Sequence, residues 1–178
     1  MRWECRCGAL SAEVDPSRGT RAVCYCQSCR EFAHRTEVDG ELDEAGGLDL
    51  FQIAPEEIHI LKGAENLTWM RLTPKGPLRW YTTCCNSPVA HTLDTRAIPF
   101  VTLPSRGFPD VNALGPVAVR VFRRFATTRA PDGGKGQAFL FLVFARRAMK
   151  SLLTGGWKRN PFFDAAGNPV ASGQTFHD

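Results

Sequence analysis

The sequence CYCQSCR at residues 24–30 is one of three short blocks that hold every cysteine of the chain. The others are CRCGAL at residues 5–10 and RWYTTCCNSPV at residues 79–89, and the three blocks together contain seven cysteines. Cysteine thiolates are soft ligands that bind Zn²⁺ tetrahedrally. A structural zinc site uses four protein ligands, whereas a catalytic site keeps three and leaves one position open. Seven cysteines therefore predict one closed site and one open site.

The spacing within the blocks indicates how the cysteines divide between the two sites. Cys5 and Cys7 lie near the N-terminus and need distant partners, and Gly8 gives the backbone the freedom to direct both sulfurs at one ion. Cys84 and Cys85 are the remaining source of ligands. We therefore predict one centre that joins these two pairs. The second centre takes the cysteines of the middle block, which are Cys24, Cys26 and Cys29.

Three other uses of the cysteines stay open at this point. Free cysteine is often buried as a small hydrophobe. Disulfides form in oxidising compartments, and an odd number of cysteines leaves one unpaired. An iron-sulfur cluster has suitable ligand chemistry, but the Cys-x-Cys spacings differ from the ferredoxin patterns. The clustering of all seven residues favours metal binding over each alternative.

Composition and charge describe an ordinary globular domain. With 43% hydrophobic and 22% charged residues in a chain of 178, we predict one domain that spans residues 1–178. The net charge of +4 is spread over the chain, so it does not by itself predict nucleic-acid or membrane binding. The N-terminus lacks the apolar segment of a secretory signal, which together with reduced thiols favours a cytoplasmic location.

The apolar run AFLFLVFA at residues 138–145 predicts a helix, and it is too short for a transmembrane segment, which needs about 20 apolar residues. Cations follow the run, and Gly155 and Gly156 end it, as a helix C-terminus prefers. We predict a helix at about 137–154, buried in the core because its first half is apolar on every side. The rival interpretation is an amphipathic helix on a membrane surface. The helix and tail, residues 137–178, form an extension of the domain.

Short segments that alternate apolar and polar residues predict a mainly β fold for the rest of the chain. The predicted strands lie at residues 10–14, 57–61, 67–72, 78–83 and 117–121. Surface loops are predicted at residues 40–47 and 130–136, where glycine and charged residues concentrate.

The three blocks resemble those of the glutathione-dependent formaldehyde-activating enzyme family, whose pattern is roughly CxCGA, CxCxxCR and FCxxCGS. The match in order and separation covers roughly the first hundred residues. The resemblance implies a β-tent of two packed antiparallel sheets around a structural zinc, here with a C-terminal helix. It also implies that Cys5, Cys7 and Cys85 hold the structural ion and that the middle block holds a catalytic one. Family members condense a thiol such as glutathione with formaldehyde, which is carbon-sulfur lyase chemistry.

Two departures from the family pattern bear on the ligands and the substrate. Thr82 occupies the position of the first cysteine in the family's third block, and Cys84 is displaced by two positions. Neighbouring residues of a strand point to opposite faces, so Cys84 becomes the fourth ligand only if the backbone turns sharply. Asn86 tolerates the left-handed conformation that such a turn requires. After Cys29 the family usually has a small Gly-Ala pair, whereas REFAH follows here at residues 30–34, which bears on the substrate.

We hypothesise that a small thiol completes the three-cysteine site and adds to a small aldehyde, forming a hemithioacetal. Arg30 would pair with a substrate carboxylate or steady an alkoxide, and its alternative role is a structural ion pair. His34 would shuttle protons, but as a fourth zinc ligand it would close the site. In the alternative function both metals are structural and the domain is a non-catalytic binding module. A methionine sulfoxide reductase is disfavoured, because its redox cysteine needs to be free of metal.

The remaining histidines and aromatic residues are assigned structural roles. His59 lies in a predicted strand, His91 follows the third block, and His177 belongs to the tail. Trp80 and Tyr81 are expected to cover the metal site as core aromatic residues. One arginine-rich segment with interleaved phenylalanines could bind single-stranded nucleic acid, but a half-buried strand with a solvated face is the commoner use. Its members are Arg120, Phe122, Arg123, Arg124, Phe125 and Arg129.

Overall fold

The computed structural model describes residues 1–176, so the tail residue His177 lies outside the described residues. The described part is mainly β, as the sequence predicts. Its strands are β1 Arg2–Glu4, β2 Ser11–Val14, β3 Thr20–Cys24, β4 Leu48–Ile53, β5 Ile58–Lys62, β6 Leu67–Arg71, β7 Leu78–Thr82, β8 Pro88–Thr92, β9 Val101–Pro104, β10 Val119–Val121 and β11 Gly173–Thr175. The α-helices are α1 Gln27–Arg35 and α2 Gln137–Leu153.

Two sheets make up the β structure. The smaller has three antiparallel strands in the order β1-β2-β5. The larger has eight strands in the order β10-β3-β4-β9-β8-β7-β6-β11. Its six inner strands are antiparallel, but each edge strand pairs in parallel, β10 with β3 and β11 with β6. The expected antiparallel pairing therefore holds in the small sheet and in the interior of the large one, and the two edge strands of the large sheet depart from it. Both edge strands come from distant parts of the chain, and parallel pairs require such long connections.

The main core is built around large aromatic side chains. Trp3 and Trp80 are buried at 2% and 0% exposure, and Phe162 packs on Trp80 with 5.1 Å between ring centroids. Phe163 contacts the other side of the same indole, at 6.3 Å. Phe162 and Phe163 follow α2 in sequence, so the segment after residue 137 contributes to the core. The same segment adds β11 to the large sheet. It is an integral part of the fold.

Five strands match the sequence prediction to within two residues at each end, whereas strands such as β3, β4 and β9 carry no clear alternation and were not predicted. The loop at 130–136 is largely exposed, as predicted. The loop prediction for residues 40–47 is wrong at its end, because Ala45, Gly46 and Gly47 are buried. The Asp43 carboxylate accepts hydrogen bonds from the backbone N–H groups of Ala45 and Gly47, which holds this turn against the domain.

Helix α2 has the predicted bounds but not the predicted environment. Phe141, Leu142 and Leu153 are 68%, 66% and 83% exposed, so the prediction of a core helix is wrong. Polar residues occupy the inner side, where Arg147 donates to Thr20 Oγ1 at 2.6 Å and Ser151 donates to Glu56 Oε2 at 2.9 Å. Within residues 1–176, no helix combines the length and the apolarity needed to cross a bilayer.

Candidate metal centres

A tight turn brings the sulfurs of the N-terminal cysteine pair together. The N–H of Gly8 donates to the carbonyl of Cys5 at 2.9 Å, and Gly8 has a φ of +72°. This left-handed conformation favours glycine, as the sequence indicated. The N–H of Leu10 donates to Cys5 Sγ at 3.2 Å, a contact that stabilises the thiolate form. The turn leaves Cys5 Sγ and Cys7 Sγ 3.7 Å apart.

The third block forms the turn between β7 and β8. Asn86 has a φ of +56°, and its N–H donates to the carbonyl of Thr82 at 2.9 Å. The left-handed residue reverses the chain sharply, so the sulfurs of Cys84 and Cys85 lie 3.8 Å apart although the residues are adjacent. This confirms the turn expected at Asn86. Its side-chain amide also donates to the carbonyl of Arg35, which ties the turn to the end of α1.

The four sulfurs of the N-terminal turn and of the turn between β7 and β8 form one group. The ligand atoms of Cys5, Cys7, Cys84 and Cys85 all lie within 4.8 Å of one another, and Cys7 Sγ is 3.4 Å from Cys84 Sγ. A tetrahedral zinc site with bonds of about 2.3 Å separates its sulfurs by about 3.8 Å. The measured separations are therefore those of a tetrahedral site, and they are far longer than a disulfide bond of about 2 Å.

Hydroxyl groups prepare Cys85 for ionisation. Ser87 Oγ lies 3.2 Å and Thr82 Oγ1 lies 3.3 Å from Cys85 Sγ. Burial raises the pKa of this thiol, but the hydrogen bonds to Ser87, Thr82 and Cys7 together lower it to about 5. For Cys84, burial and the contact with Cys7 raise the pKa to about 12. Thr82, which stands where the related family has cysteine, thus supports a neighbouring sulfur by a hydrogen bond.

The second group lies where β3 leads into α1. Cys24 is the last residue of β3, paired with Val121 of β10 and Leu48 of β4. Cys26 is the N-cap residue of α1, and Cys29 lies in its first turn. The ligand atoms of the three cysteines are within 4.8 Å of one another. Thiolates are favoured there, because the N-terminus of a helix carries unpaired N–H groups and a partial positive charge.

The three thiols of this group share their protons. Hydrogen bonds from Cys24 and Cys29 lower the pKa of Cys26 to about 2. The hydrogen bond to Cys26 in turn raises the pKa of Cys24. The bond from Cys24 lowers the pKa of Cys29, but the bond to Cys26 and burial raise it to about 11. One negative charge is thus shared among three sulfurs, and a cation that replaces the thiol protons allows all three to ionise.

Arg79 brings a buried positive charge to the three-cysteine group. It is only 3% exposed, and its Nη1 lies 3.9 Å from Cys29 Sγ. Its Nη2 donates to Ser28 Oγ at 2.6 Å, and its guanidinium lies over the Phe32 ring. Within residues 1–176, the hydrogen-bond partners of Arg79 include no carboxylate. A buried cation needs a nearby counter-charge, and the cysteine sulfurs are placed to supply it.

His91 faces Arg79 across the β7–β8 pair. Its ring nitrogens lie 3.2 and 3.4 Å from Arg79 Nη1, and its ring packs edge-on against Phe32 at 5.2 Å. Burial, followed by the charge of Arg79, lowers the pKa of the imidazole well below 6.5. His91 is therefore neutral and accepts a hydrogen bond from Arg79, which fixes the guanidinium beside the sulfurs.

Arg30 and His34 lie in α1 but contact other groups. Arg30 Nη1 donates to the carbonyls of Tyr25 and Phe125, each at 2.8 Å, so it ties α1 to the segment after β10. The structural role weighed for Arg30 was an ion pair, whereas the observed partners are carbonyls. The His34 side chain is 75% exposed and lies 3.4 Å from Asp39 Oδ1. Within the described residues, the metal-ligating group contains only the three cysteines, so His34 does not close it.

A cleft of about 400 Å³ lies along α1. Its lining includes Ser28, the residue that binds Arg79, together with Gln27 and Glu31 from the first turns of α1. A larger cleft of about 490 Å³ lies beside Val23 and is lined by charged residues, among them the ion-paired Arg21 and Asp49. No cysteine lines either cleft. The smaller cleft is linked to the three-cysteine group through Ser28, which accepts from Arg79 beside Cys29.

Comparison with known proteins identifies the family of the chain. The sequence pattern of a family of unknown function, DUF6151, matches residues 1–174. The chain belongs to this family. A crystal structure of a Rhodobacter sphaeroides protein matches this DUF6151 member with 21% sequence identity and a TM-score of 0.45, covering 66% of this chain and 97% of that one. A search of curated proteins finds no match.

Sequence reasoning missed Ser28, Arg79 and the contact that His91 makes in this DUF6151 protein. One signal was present, because Arg79 stands in the strand LRWYT between apolar and aromatic residues. A charged residue inside such a strand indicates a buried partner. The partner itself is set by the register that pairs Arg79 with His91, which the sequence alone does not reveal.

Proposed function

We propose that the protein is a zinc-dependent enzyme of the carbon-sulfur lyase type, which activates a small thiol such as glutathione for addition to a small aldehyde. The four-cysteine group would hold a structural zinc ion, and Cys24, Cys26 and Cys29 would hold a second one. The observation that carries the proposal is the buried cation of Arg79 beside three cysteines that have no fourth protein ligand among residues 1–176.

The donor sets fit zinc. Sulfur ligands select soft or borderline ions, and the sulfur separations of 3.4 to 3.8 Å suit tetrahedral coordination. A zinc ion at the three-cysteine group would supply a position at which a small thiol ionises at neutral pH. In this interpretation the group with four sulfurs joins two distant parts of the chain, and the group with three keeps one coordination position for a substrate.

Charge balance supports the assignment of the second group. Three thiolates around a divalent cation carry a net charge of about −1, and Arg79 supplies one compensating positive charge in the same buried region. Without ionised sulfurs, the guanidinium would be buried without a counter-charge, which costs several kcal/mol. The contacts with Ser28 and His91 hold the Arg79 guanidinium in place. Its positive charge would therefore stabilise the cysteine thiolates and the thiolate of a substrate bound beside them.

The addition conserves every atom of the two substrates. The sulfur forms a bond to the carbonyl carbon, the carbon-oxygen double bond becomes single, and the proton lost by the thiol is regained at oxygen. The polar lining of the cleft, which includes Gln27, Ser28 and Glu31, offers hydrogen-bonding groups to the thiol-bearing molecule. The choice of glutathione and formaldehyde rests on the resemblance of CRCGAL, CYCQSCR and RWYTTCCNSPV to the formaldehyde-activating family.

Metal content and adduct formation together test the proposal. We expect two zinc ions per chain by mass spectrometry, one in Cys26→Ser, and faster formation of S-hydroxymethylglutathione by the parent protein than by the variant. The matched control is Cys24→Ser, which removes another ligand of the same group and should behave alike. Adduct formation by metal-free or Cys26→Ser protein at the rate of the parent would refute the enzyme, and a second zinc that does not respond to glutathione would favour a binding module.

A further inference from the structure

Helix α2 presents its apolar side to solvent. The stripe consists of Ala138, Phe141, Leu142, Ala145, Met149, Leu152 and Leu153, which recur at the helical spacing of three and four residues; all are exposed except Ala145, which is half-buried. Leu142, Met149 and Leu153 are 66%, 58% and 83% exposed. A helix of 17 residues is about 25 Å long. The stripe is thus a continuous apolar surface along the whole helix, and such surfaces mark interaction sites.

The helix cannot bury this stripe by rolling on the sheet. Arg147 on its inner side donates to the carbonyl and the side-chain oxygen of Gln52, and to Thr20 Oγ1. Ser151, one turn later, donates to Glu56 Oε2. Rotation would break these bonds and leave polar groups unpaired in a half-buried position, which is costly. The outward direction of the stripe is therefore set by the fold.

Positive charge lies along one edge of the stripe. From residue 133 to residue 163 the sequence has no Asp or Glu, and it has six basic residues: Lys135, Arg146, Arg147, Lys150, Lys158 and Arg159. Arg146 and Lys150 are exposed on α2 itself, at one edge of the stripe. The helix and its flanking segments therefore combine an apolar stripe with exposed cations and carry no carboxylate, and the nearest acidic contact, Glu56 with Ser151, lies on the inner side of α2.

We propose that α2 is an interfacial helix that docks the protein on an anionic membrane surface. Apolar side chains with flanking cations bind the boundary between acyl chains and acidic headgroups, where each basic residue adds to the attraction. A dimer formed through α2 is less favourable, because the cations of the two helices would face each other and neither helix carries an acidic residue to pair with them. Single-stranded nucleic acid would use the cations but not the aliphatic stripe. This proposal is independent of the chemistry at the cysteines.

Vesicle sedimentation tests the docking. We expect the full-length protein to bind vesicles of phosphatidylcholine and phosphatidylglycerol in equal parts, and not vesicles of phosphatidylcholine alone. Lys150→Gln should weaken binding roughly five-fold, since one cation near the surface contributes that much. Leu153→Glu should abolish sedimentation. The matched controls are Lys75→Gln in the turn before β7 and Leu61→Glu on β5, both exposed and outside α2, and both should bind like the parent.

Several results would overturn the proposal. They are equal binding to both kinds of vesicle, no binding to either, or equal losses in the control variants. Analytical ultracentrifugation that shows a dimer broken by Leu153→Glu, with no vesicle binding, would assign the stripe to a second copy. Binding of a single-stranded oligonucleotide that competes with the vesicles, with unchanged affinity in Leu153→Glu, would assign the surface to nucleic acid. Circular dichroism of each variant verifies that a loss does not arise from unfolding.

Discussion

Replacing Arg79 with methionine removes the charge that the three-cysteine group is expected to need. Nη1 of Arg79 and Sγ of Cys29 are 3.9 Å apart. At an effective dielectric constant of about 20, unit charges at this distance attract each other by about 4 kcal/mol. This energy corresponds to about a thousand-fold in zinc affinity and is the Coulombic ceiling. We expect Arg79→Met to weaken zinc binding at this group at least ten-fold, since part of the attraction is offset by desolvation of the guanidinium.

Competition with a chromophoric chelator measures the two zinc affinities separately in the parent and the variant. The four-cysteine group contains no contact to Arg79, so its affinity should not change and serves as an internal reference. Arg79→Lys keeps the positive charge and should recover part of the loss. Arg30→Met is the matched control, because Arg30 belongs to the same helix but donates to carbonyls. A folded Arg79→Met protein that binds both zinc ions as tightly as the parent would show that the charge balance has been misassigned.

Three further changes test the rest of the structure. Cys85→Ser should lower the stability to urea by on the order of 4 kcal/mol, because a zinc link between residues 77 positions apart is lost, and an unchanged midpoint would contradict a structural ion. Asn86→Val should cost about 1 to 2 kcal/mol more than Asn86→Gly, since both lose the bond to Arg35 but only valine is strained at a φ of +56°; equal midpoints would argue against the turn. His91 has a pKa in the folded protein well below 6.5, so the unfolded state gains a proton that the folded state lacks, and stability should fall below pH 6.5 by up to about 1.4 kcal/mol per pH unit. Denaturation at several pH values should show this slope reduced in His91→Gln, and identical slopes would contradict a neutral buried imidazole.

The sequence predicted the division of the cysteines because ligand spacing and backbone freedom are local properties. Gly8 and Asn86 have the left-handed conformations expected of them, and the two sulfur groups contain the residues assigned from spacing. The bounds of α2 were equally local, since an apolar run followed by Gly155 and Gly156 defines a helix and its end. The two turns, the spacing within each block and the bounds of α2 depend on residues that are neighbours in the chain, whereas the joining of the first and third blocks followed from the number of ligands that a closed site needs.

The environment of those elements depends on residues far apart in sequence. The apolar composition of α2 indicated burial, but hydrogen bonds of Arg147 and Ser151 to β4 and to the turn after it direct the apolar side outward. The role of Arg79 follows from the register of β7 and β8 and from the placement of α1, which set Cys29, Ser28 and His91 around one guanidinium. The sequence determined which residues are candidate metal ligands and which residues form the turns, because those properties are local. Tertiary structure alone decided which charge lies beside which sulfur, because electrostatic contacts depend on distance in space.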